Sequence, residues 1–225
     1  MEIVFLKATQ KLVKEISSNS VTPYPLVKKF TSEHNNFEKT QEGLEDFFNA
    51  LQEADKCLLK GLLKKPLQDE SRALMSDRNA QTELLVIDID NLQAPGFSSF
   101  DVKTLAEKFI LHLPIEFHDV SYIAQASASL GLKKDKVSMH LFFFLKNKTH
   151  PKTIKEWFKL LNYETDILAN QLSLSANGQS LSYTVDPSVA ENSKLIYIST
   201  PNFKDIKDPI KDTRWIFIKR NEALL

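Results

Sequence analysis

Two aspartates one residue apart close an apolar run, Glu83-Leu84-Leu85-Val86-Ile87-Asp88-Ile89-Asp90. Consecutive apolar, mostly β-favouring residues predict a buried strand. Its alternating side chains turn Asp88 and Asp90 to one face, about 6–7 Å apart at about 3.3 Å per residue. Like charges so placed repel and lose hydration, and a divalent cation or a pair of them relieves both. A solvated turn at a strand end is the competing reading. Asp186 adds a third carboxylate in Ser182-Tyr183-Thr184-Val185-Asp186-Pro187, although Asp-Pro is also a common turn start. Ser138 and His140 share a face of the run 137–145, preceded by Lys133, Lys134 and Lys136. Hydroxyl, imidazole and ammonium groups together suit a polyphosphate; a satisfied core histidine is the alternative. Between residues 127 and 160 eight lysines face two acids, Asp135 and Glu156, which reads as a basic patch or as a solvated face. Three carboxylates beside a phosphate-binding Ser/His pair describe metal-assisted phosphoryl or nucleotidyl transfer. In that chemistry two divalent ions about 3.5–4 Å apart activate the attacking hydroxyl and neutralise the leaving pyrophosphate.

The elements that must position these groups follow in order from residue 81. The Asp88/Asp90 strand leads to a Pro95-Gly96 turn and a helix with Val102, Leu105, Ala106, Phe109 and Leu113 inward, ended by Pro114. Strands at 120–126 and 137–145 come next, then a helix from Pro151 with Ile154, Trp157, Phe158 and Leu161 inward. A further helical piece is expected at 164–172, a strand at 182–186, and two more at 195–199 and 215–218. The order β-α-β-β-α-β predicts an α+β fold of the split βαβ, RRM-like kind, with the first strand between the third and fourth. Residues 1–80 read as a mainly helical region packed on the 81–225 core, the two forming one compact catalytic domain. That region comprises an amphipathic helix over 3–16, a break at Pro23 and Pro25, and a helix carrying Leu44, Phe47, Phe48, Leu51, Ala54 and Leu58. Gly61 stops the second helix, and a polar loop over 68–80 bears Arg72 and Arg78.

Composition narrows the function classes. Twenty-nine basic residues balance 29 acidic ones, so a nucleic-acid partner would be held by a local patch rather than a global field. The single cysteine, Cys57, excludes an intramolecular disulfide and any multi-cysteine zinc site and fits a reducing compartment. No Gly-x-Gly loop or P-loop is present among the five glycines. No apolar run approaches the ~20 residues of a membrane span, and no signal-peptide pattern opens the chain, so a cytoplasmic location without membrane partners is expected.

An hDhD strand, an S-x-H strand and a later hD resemble the three motifs of the archaeo-eukaryotic primase superfamily, in the primase-polymerases of phages, plasmids and mobile elements. Here they are Val86-Ile87-Asp88-Ile89-Asp90, Ser138-Met139-His140-Leu141 and Thr184-Val185-Asp186-Pro187, with Asn192-Ser193-Lys194-Leu195-Ile196-Tyr197-Ile198 similar to the segment that follows the third motif. Leu58-Leu59-Lys60-Gly61 and Glu70-Ser71-Arg72-Ala73 also look similar to the region before the first motif. The resemblance spans residues 55–220. It implies a template-dependent primase or polymerase acting on single-stranded DNA with NTPs or dNTPs. Asp88, Asp90 and Asp186 would hold two Mg2+ or Mn2+ ions, and Ser138 and His140 would touch the nucleotide phosphates. Lys136, Arg72 and Lys60 would be lesser nucleotide or template contacts. Many relatives carry arginine where Lys194 stands, and lysine keeps the charge but loses the bidentate fork. No structural zinc is expected, His112, His118 and Cys57 reading as scattered residues. Relatives are often fused to a helicase, which predicts C-terminal domains or a replication partner beyond Leu225.

Three other readings compete. A metal-dependent nuclease also uses carboxylate clusters but has no need of a triphosphate pocket. A haloacid-dehalogenase-type phosphatase also places Asp-x-Asp after a strand, but Asn91-Leu92 lacks that family's usual Thr or Val and the element order does not give its parallel sheet. A non-catalytic RRM-like module would display Phe142 and Phe144, on the face of His140, for base stacking.

Overall fold

A computed structural model describes all residues except 54, 96–100, 134, 176 and 211. Gly96, Ala54 and Lys134, parts of the expected turn, helix and lysine run, lie outside the described residues. The fold is α+β, and its centre is an antiparallel four-stranded sheet in the order β8-β5-β6-β4. These strands are β4 (Thr82–Gln93), β5 (Tyr122–Ala126), β6 (Lys136–Thr149) and β8 (Trp215–Ile218). The register pairs His140 with Asp88, Phe142 with Val86 and Phe144 with Leu84. On the free side of β4, Val185 makes a single antiparallel bridge to Ile89. The expected 182–186 strand therefore shrinks to that bridge. Leu181–Ser182 instead pairs with Ser173–Leu174 in a separate hairpin.

Alternation along β4 and β6 sends Leu85, Ile87, Ile89, Met139, Leu141 and Phe143 to one face of this sheet. There they meet α2 (Val102–Ile110) and α3 (Pro151–Glu164), both expected from the sequence. Asp101 caps α2 and His150 caps α3, with Pro151 in its first turn, where a missing N–H costs nothing. A short helix, α4 (Asp166–Ala169), occupies part of the expected 164–172 piece.

The other face carries the main correction. The elements of residues 1–80 are mainly strands, the longest being β1 (Glu2–Lys7), β2 (Lys29–Asn36) and β3 (Lys56–Leu59), with one helix among the described residues, α1 (Gln41–Leu51). With β7 (Leu195–Tyr197) and Glu70–Ser71 they form a second sheet ordered β7-β3-β1-β2 and then Glu70–Ser71. The expected helix over 3–16 is β1, because Ile3-Val4-Phe5-Leu6 is buried on both sides. Ile3 and Phe5 face the central sheet, while Val4 and Leu6 face an outer cluster with Cys57, Leu59 and Phe30. The second expected helix ends at Leu51. Asp55 adopts a left-handed φ of 73°, and the chain reverses into β3. Gly61 is no helix stop: a Cβ there would lie 2.3 Å from Asn192 Cβ, so only glycine fits against that side chain. Among the described residues no helix is long and apolar enough to cross a membrane.

Candidate active site

The layer between the two sheets is apolar over most of its length. Leu84, Val86, Phe142 and Phe144 lie under Phe5 and α1's Phe47. Two residues further along the same strands and on the same face come Asp88 and His140, and there a cleft of about 270 Å3 opens. Asp88, Asp90 and His140 line it with Lys14, Tyr24, Ser127, Ser129, Lys194 and Tyr197, among others.

A bulge shapes the end of β4. Val137 pairs with Leu92 but Met139 pairs with Ile89, so Asp90 and Asn91 together oppose Ser138. Asn91 takes the left-handed conformation, φ 53°, that asparagine tolerates better than most residues. Ser138 Oγ accepts the Asn91 N–H at 2.8 Å, so the serine hydroxyl closes the bulge. Ser138 is buried and does not line the cleft. In this arrangement the Ser138 hydroxyl holds the bulge beside Asp90. Backbone bonds from Asp90 N–H to Thr184 O (2.8 Å) and from Asp186 N–H to Asp88 O (3.0 Å) pin the third-motif segment beside the first.

Hydrogen bonding favours the charged form of His140. Gln125 Nε2 donates to Ile198 O at 3.1 Å, which turns its Oε1 toward His140 Nδ1 at 2.8 Å. His140 Nε2 stands 3.2 Å from Asp88 Oδ1. Both ring nitrogens therefore face acceptors, an arrangement that favours the doubly protonated ring. Burial works against that charge, but the Asp88 carboxylate, by charge and hydrogen bond, and then Asp90 outweigh it and hold the His140 pKa above its ordinary value.

The three carboxylates differ. Asp186 accepts from Ser188 N–H (2.8 Å), Ser188 Oγ (2.7 Å) and Lys194 Nζ (3.1 Å). Desolvation opposes its ionisation, but the Ser188 hydrogen bonds and Lys194 prevail and hold its pKa low. Asp90 takes no hydrogen bond or ion pair on its carboxylate among the described residues. Desolvation first, then the charges of Asp88 and Asp186, raise its pKa, although His140 and Lys194 pull the other way. Among the described residues no three His, Cys, Asp or Glu side chains stand together as a ready ligand group. Asp88 is turned to His140 and Asp186 to Lys194.

Of the remaining expected contacts, Lys194 lines the cleft, whereas Lys136 lines a neighbouring cavity that shares Asp90. Lys60 and Arg72 are the remaining two. Lys60 is buried, its Nζ donating to Thr82 Oγ1 at 3.2 Å, and Arg72 donates through Nη1 to Ser193 O. Neither lines the cleft.

Sequence reasoning missed Gln125, Lys14, Tyr24 and Tyr197. Gln125 had a signal: it is the one polar residue in the buried strand Tyr122-Ile123-Ala124-Gln125-Ala126. Tyr24 and Tyr197 had none, being brought together from opposite ends of the chain, where their rings stack at 3.9 Å and 4°. Comparison of the chain with family models, with curated proteins and with solved structures returned no match.

Proposed function

We propose that the protein is a template-dependent nucleotidyltransferase of the primase-polymerase kind, making or extending primers on single-stranded DNA. The observation that carries this reading is the meeting of Asp88, Asp90, His140 and Lys194 at one cleft, with Asp186 joined to it through Lys194. The order β4-α2-β5-β6-α3, followed by the Val185 bridge on the far side of β4, agrees with the RRM-like arrangement that the resemblance implies.

The donor set suits hard divalent cations, because the carboxylates of Asp88 and Asp90 line the cleft and that of Asp90 takes no hydrogen bond or ion pair among the described residues. Asp88, Asp90 and Asp186 would hold Mg2+ or Mn2+, which when bound would activate the attacking hydroxyl and neutralise the leaving pyrophosphate. The protein's own cations are already at hand. His140 and Lys194 each rest on a carboxylate, and in this reading both turn to the triphosphate of the incoming nucleotide. Gln125 aims the imidazole and favours its doubly protonated form, in which it would donate to phosphate oxygens rather than remove a proton.

The RRM-like binding-module reading loses its support, since Phe142 and Phe144 are fully buried beneath α1 and the second sheet. The test is synthesis on unprimed single-stranded DNA with labelled NTPs or dNTPs and Mg2+ or Mn2+, comparing wild type with Asp88→Ala/Asp90→Ala. Short products from wild type alone are expected. Shortening of the template would indicate a nuclease, and silence on both unprimed and primed templates would overturn the proposal.

A further inference from the structure

Ser32 and His34 stand two residues apart on β2 and so share a face of the second sheet. The register sets Leu6 opposite Ser32, Val4 opposite His34 and Glu2 one pair further along the same face. Ser32 Oγ is 3.1 Å from His34 Nε2, and His34 Nδ1 is 2.8 Å from Glu2 Oε1. In the neutral ring the carboxylate takes the Nδ1 proton, which leaves Nε2 as an acceptor for the Ser32 hydroxyl. Ser32 Oγ in turn accepts the Leu67 N–H at 2.9 Å. Met1 and Phe37 exchange both of their backbone bonds, so the residues of β2 that bond across to β1 alternate from Phe37, and Ser32 and His34 turn their N–H groups the other way. Ser32 N–H is taken there by Leu67 O at 3.1 Å. His34 N–H has no acceptor among the described residues, because the strand that pairs with this edge reaches only Lys29 and Phe30. The side chains are open to solvent, His34 at 26% and Glu2 at 43% exposed.

A hydroxyl on an imidazole whose far nitrogen is held by a carboxylate has the nucleophile, base and orienting group of acyl transfer, a set recognised by geometry and not by chain order. The Leu67 N–H favours the negative charge that grows on Oγ, and the free His34 N–H is a donor for the oxygen of a tetrahedral intermediate. We propose that Ser32, His34 and Glu2, none of which lines the cleft, form a second catalytic group that hydrolyses esters. Ser32 Oγ bonds to the acyl carbon while its proton passes to His34 Nε2. The ester C–O bond then breaks, and the leaving oxygen takes that proton. Water next attacks the acyl carbon and gives a proton to Nε2; the bond from Oγ to the acyl carbon breaks and Oγ recovers the proton. Ester and water thus become acid and alcohol. An open strand edge offers little hold on a long chain, so the substrate class that suits it is an ester with a small acyl group and a good leaving group. The proposal is independent of the nucleotidyl-transfer reading.

The test follows release of nitrophenol from p-nitrophenyl acetate by the full chain in EDTA. Ser32→Ala and His34→Gln are each expected to cut the rate above the buffer blank about tenfold or more. Glu2→Gln is expected to cut it about fivefold or more, because an amide no longer fixes the proton on Nδ1. His112→Gln removes an exposed imidazole elsewhere and should stay within about twofold of wild type, since an unoriented histidine adds little general-base catalysis. Ser32→Ala also takes an acceptor from Leu67 N–H, so wild type is in addition treated with a fluorophosphonate probe and its peptides are mapped by mass spectrometry. An adduct on Ser32 that His34→Gln suppresses is expected. No hydrolysis by wild type, equal losses in His34→Gln and His112→Gln, an unchanged rate in Ser32→Ala, or no adduct on Ser32 would each overturn the proposal.

Discussion

The two ends of the layer between the sheets are built from the same pair of strands and the same face, yet they do opposite things. At one end Leu84, Val86, Phe142 and Phe144 are sealed by Phe5 and Phe47; at the other Asp88 and His140 meet a cleft. The switch comes within two residues, between the Phe142–Val86 and His140–Asp88 pairs. A covered end can gain only packing energy. An end where the cover stops can keep charges that would be too costly to seal, and hold them steady because the sealed end fixes the strands. If this division is right, substitutions at the two ends will separate stability from chemistry.

The largest effect should come at the sealed end. Phe142→Ala removes a ring packed against Phe47, Trp215 and His140 and is expected to cost about 3–5 kcal/mol in urea unfolding. The fraction that remains folded should keep most of its specific activity. If activity falls as far as stability, the two ends are not separable.

Asp88→Asn tests the open end. It should reduce nucleotide incorporation about 10²- to 10³-fold, or roughly 3–4 kcal/mol in barrier, while shifting the unfolding midpoint little.

A third substitution sharpens the comparison by asking what a sealed charge costs. Burial lowers the Lys60 pKa from 10.5 to about 8. Below about pH 8 the amine is charged in both folded and unfolded chains, and the fold bears the full penalty, about 3 kcal/mol at about 1.36 kcal/mol per pH decade. Between about pH 8 and 10.5 the unfolded chain holds the proton that the folded chain has released, so this contribution to stability rises with pH. Lys60→Met should therefore stabilise the protein at pH 7 by about 1–3 kcal/mol, with its advantage over wild type vanishing by about pH 10.5. Taking the difference between the two proteins removes the contributions of Tyr24, Tyr122 and Cys57, whose burial pushes their pKa values up to about 12.

The smallest effect on stability is expected at Asp90→Asn. Relief of repulsion from Asp88 and Asp186 should give a few tenths of a kcal/mol at pH 7, small because the residue keeps contact with solvent and His140 and Lys194 offset part of that repulsion. A drop in stability instead would mean that Asp90 has a favourable partner.

The same division marks what the sequence made legible. The β4 run, α2, α3 and the strands at 120–126 and 137–145 carry their own period and punctuation, and they stand where expected. The meeting of Asp88 with His140 followed from strand order. The bulge at Asp90 and Asn91 did not, because a one-residue slip between strands leaves no trace in either strand alone. The N-terminal strands were misread because Ile3-Val4-Phe5-Leu6 fits a buried strand only when something covers both its faces. The same holds for Cys57-Leu58-Leu59, whose apolar residues extend the spacing of α1 although the chain has already turned at Asp55. Lys60 and Arg72 sit in motif-like surroundings, and nothing local signals that one is enclosed and the other holds a carbonyl.

The position of β7 has a consequence for biosynthesis. β3 pairs with β1 on one side and with β7 on the other, joining Leu59 to Leu195, 136 positions further along the chain. Lys60 N–H likewise bonds Lys194 O, and Gly61 N–H bonds Asn192 O. At roughly 5–20 residues per second a ribosome takes roughly 7–27 s to supply that stretch. Throughout this interval the outer edge of β3 has its backbone groups unpaired and Cys57, Leu58 and Leu59 without their final cover. The nascent chain passes through a window in which a chaperone or a neighbouring nascent chain can reach that edge before its own partner strand has been made.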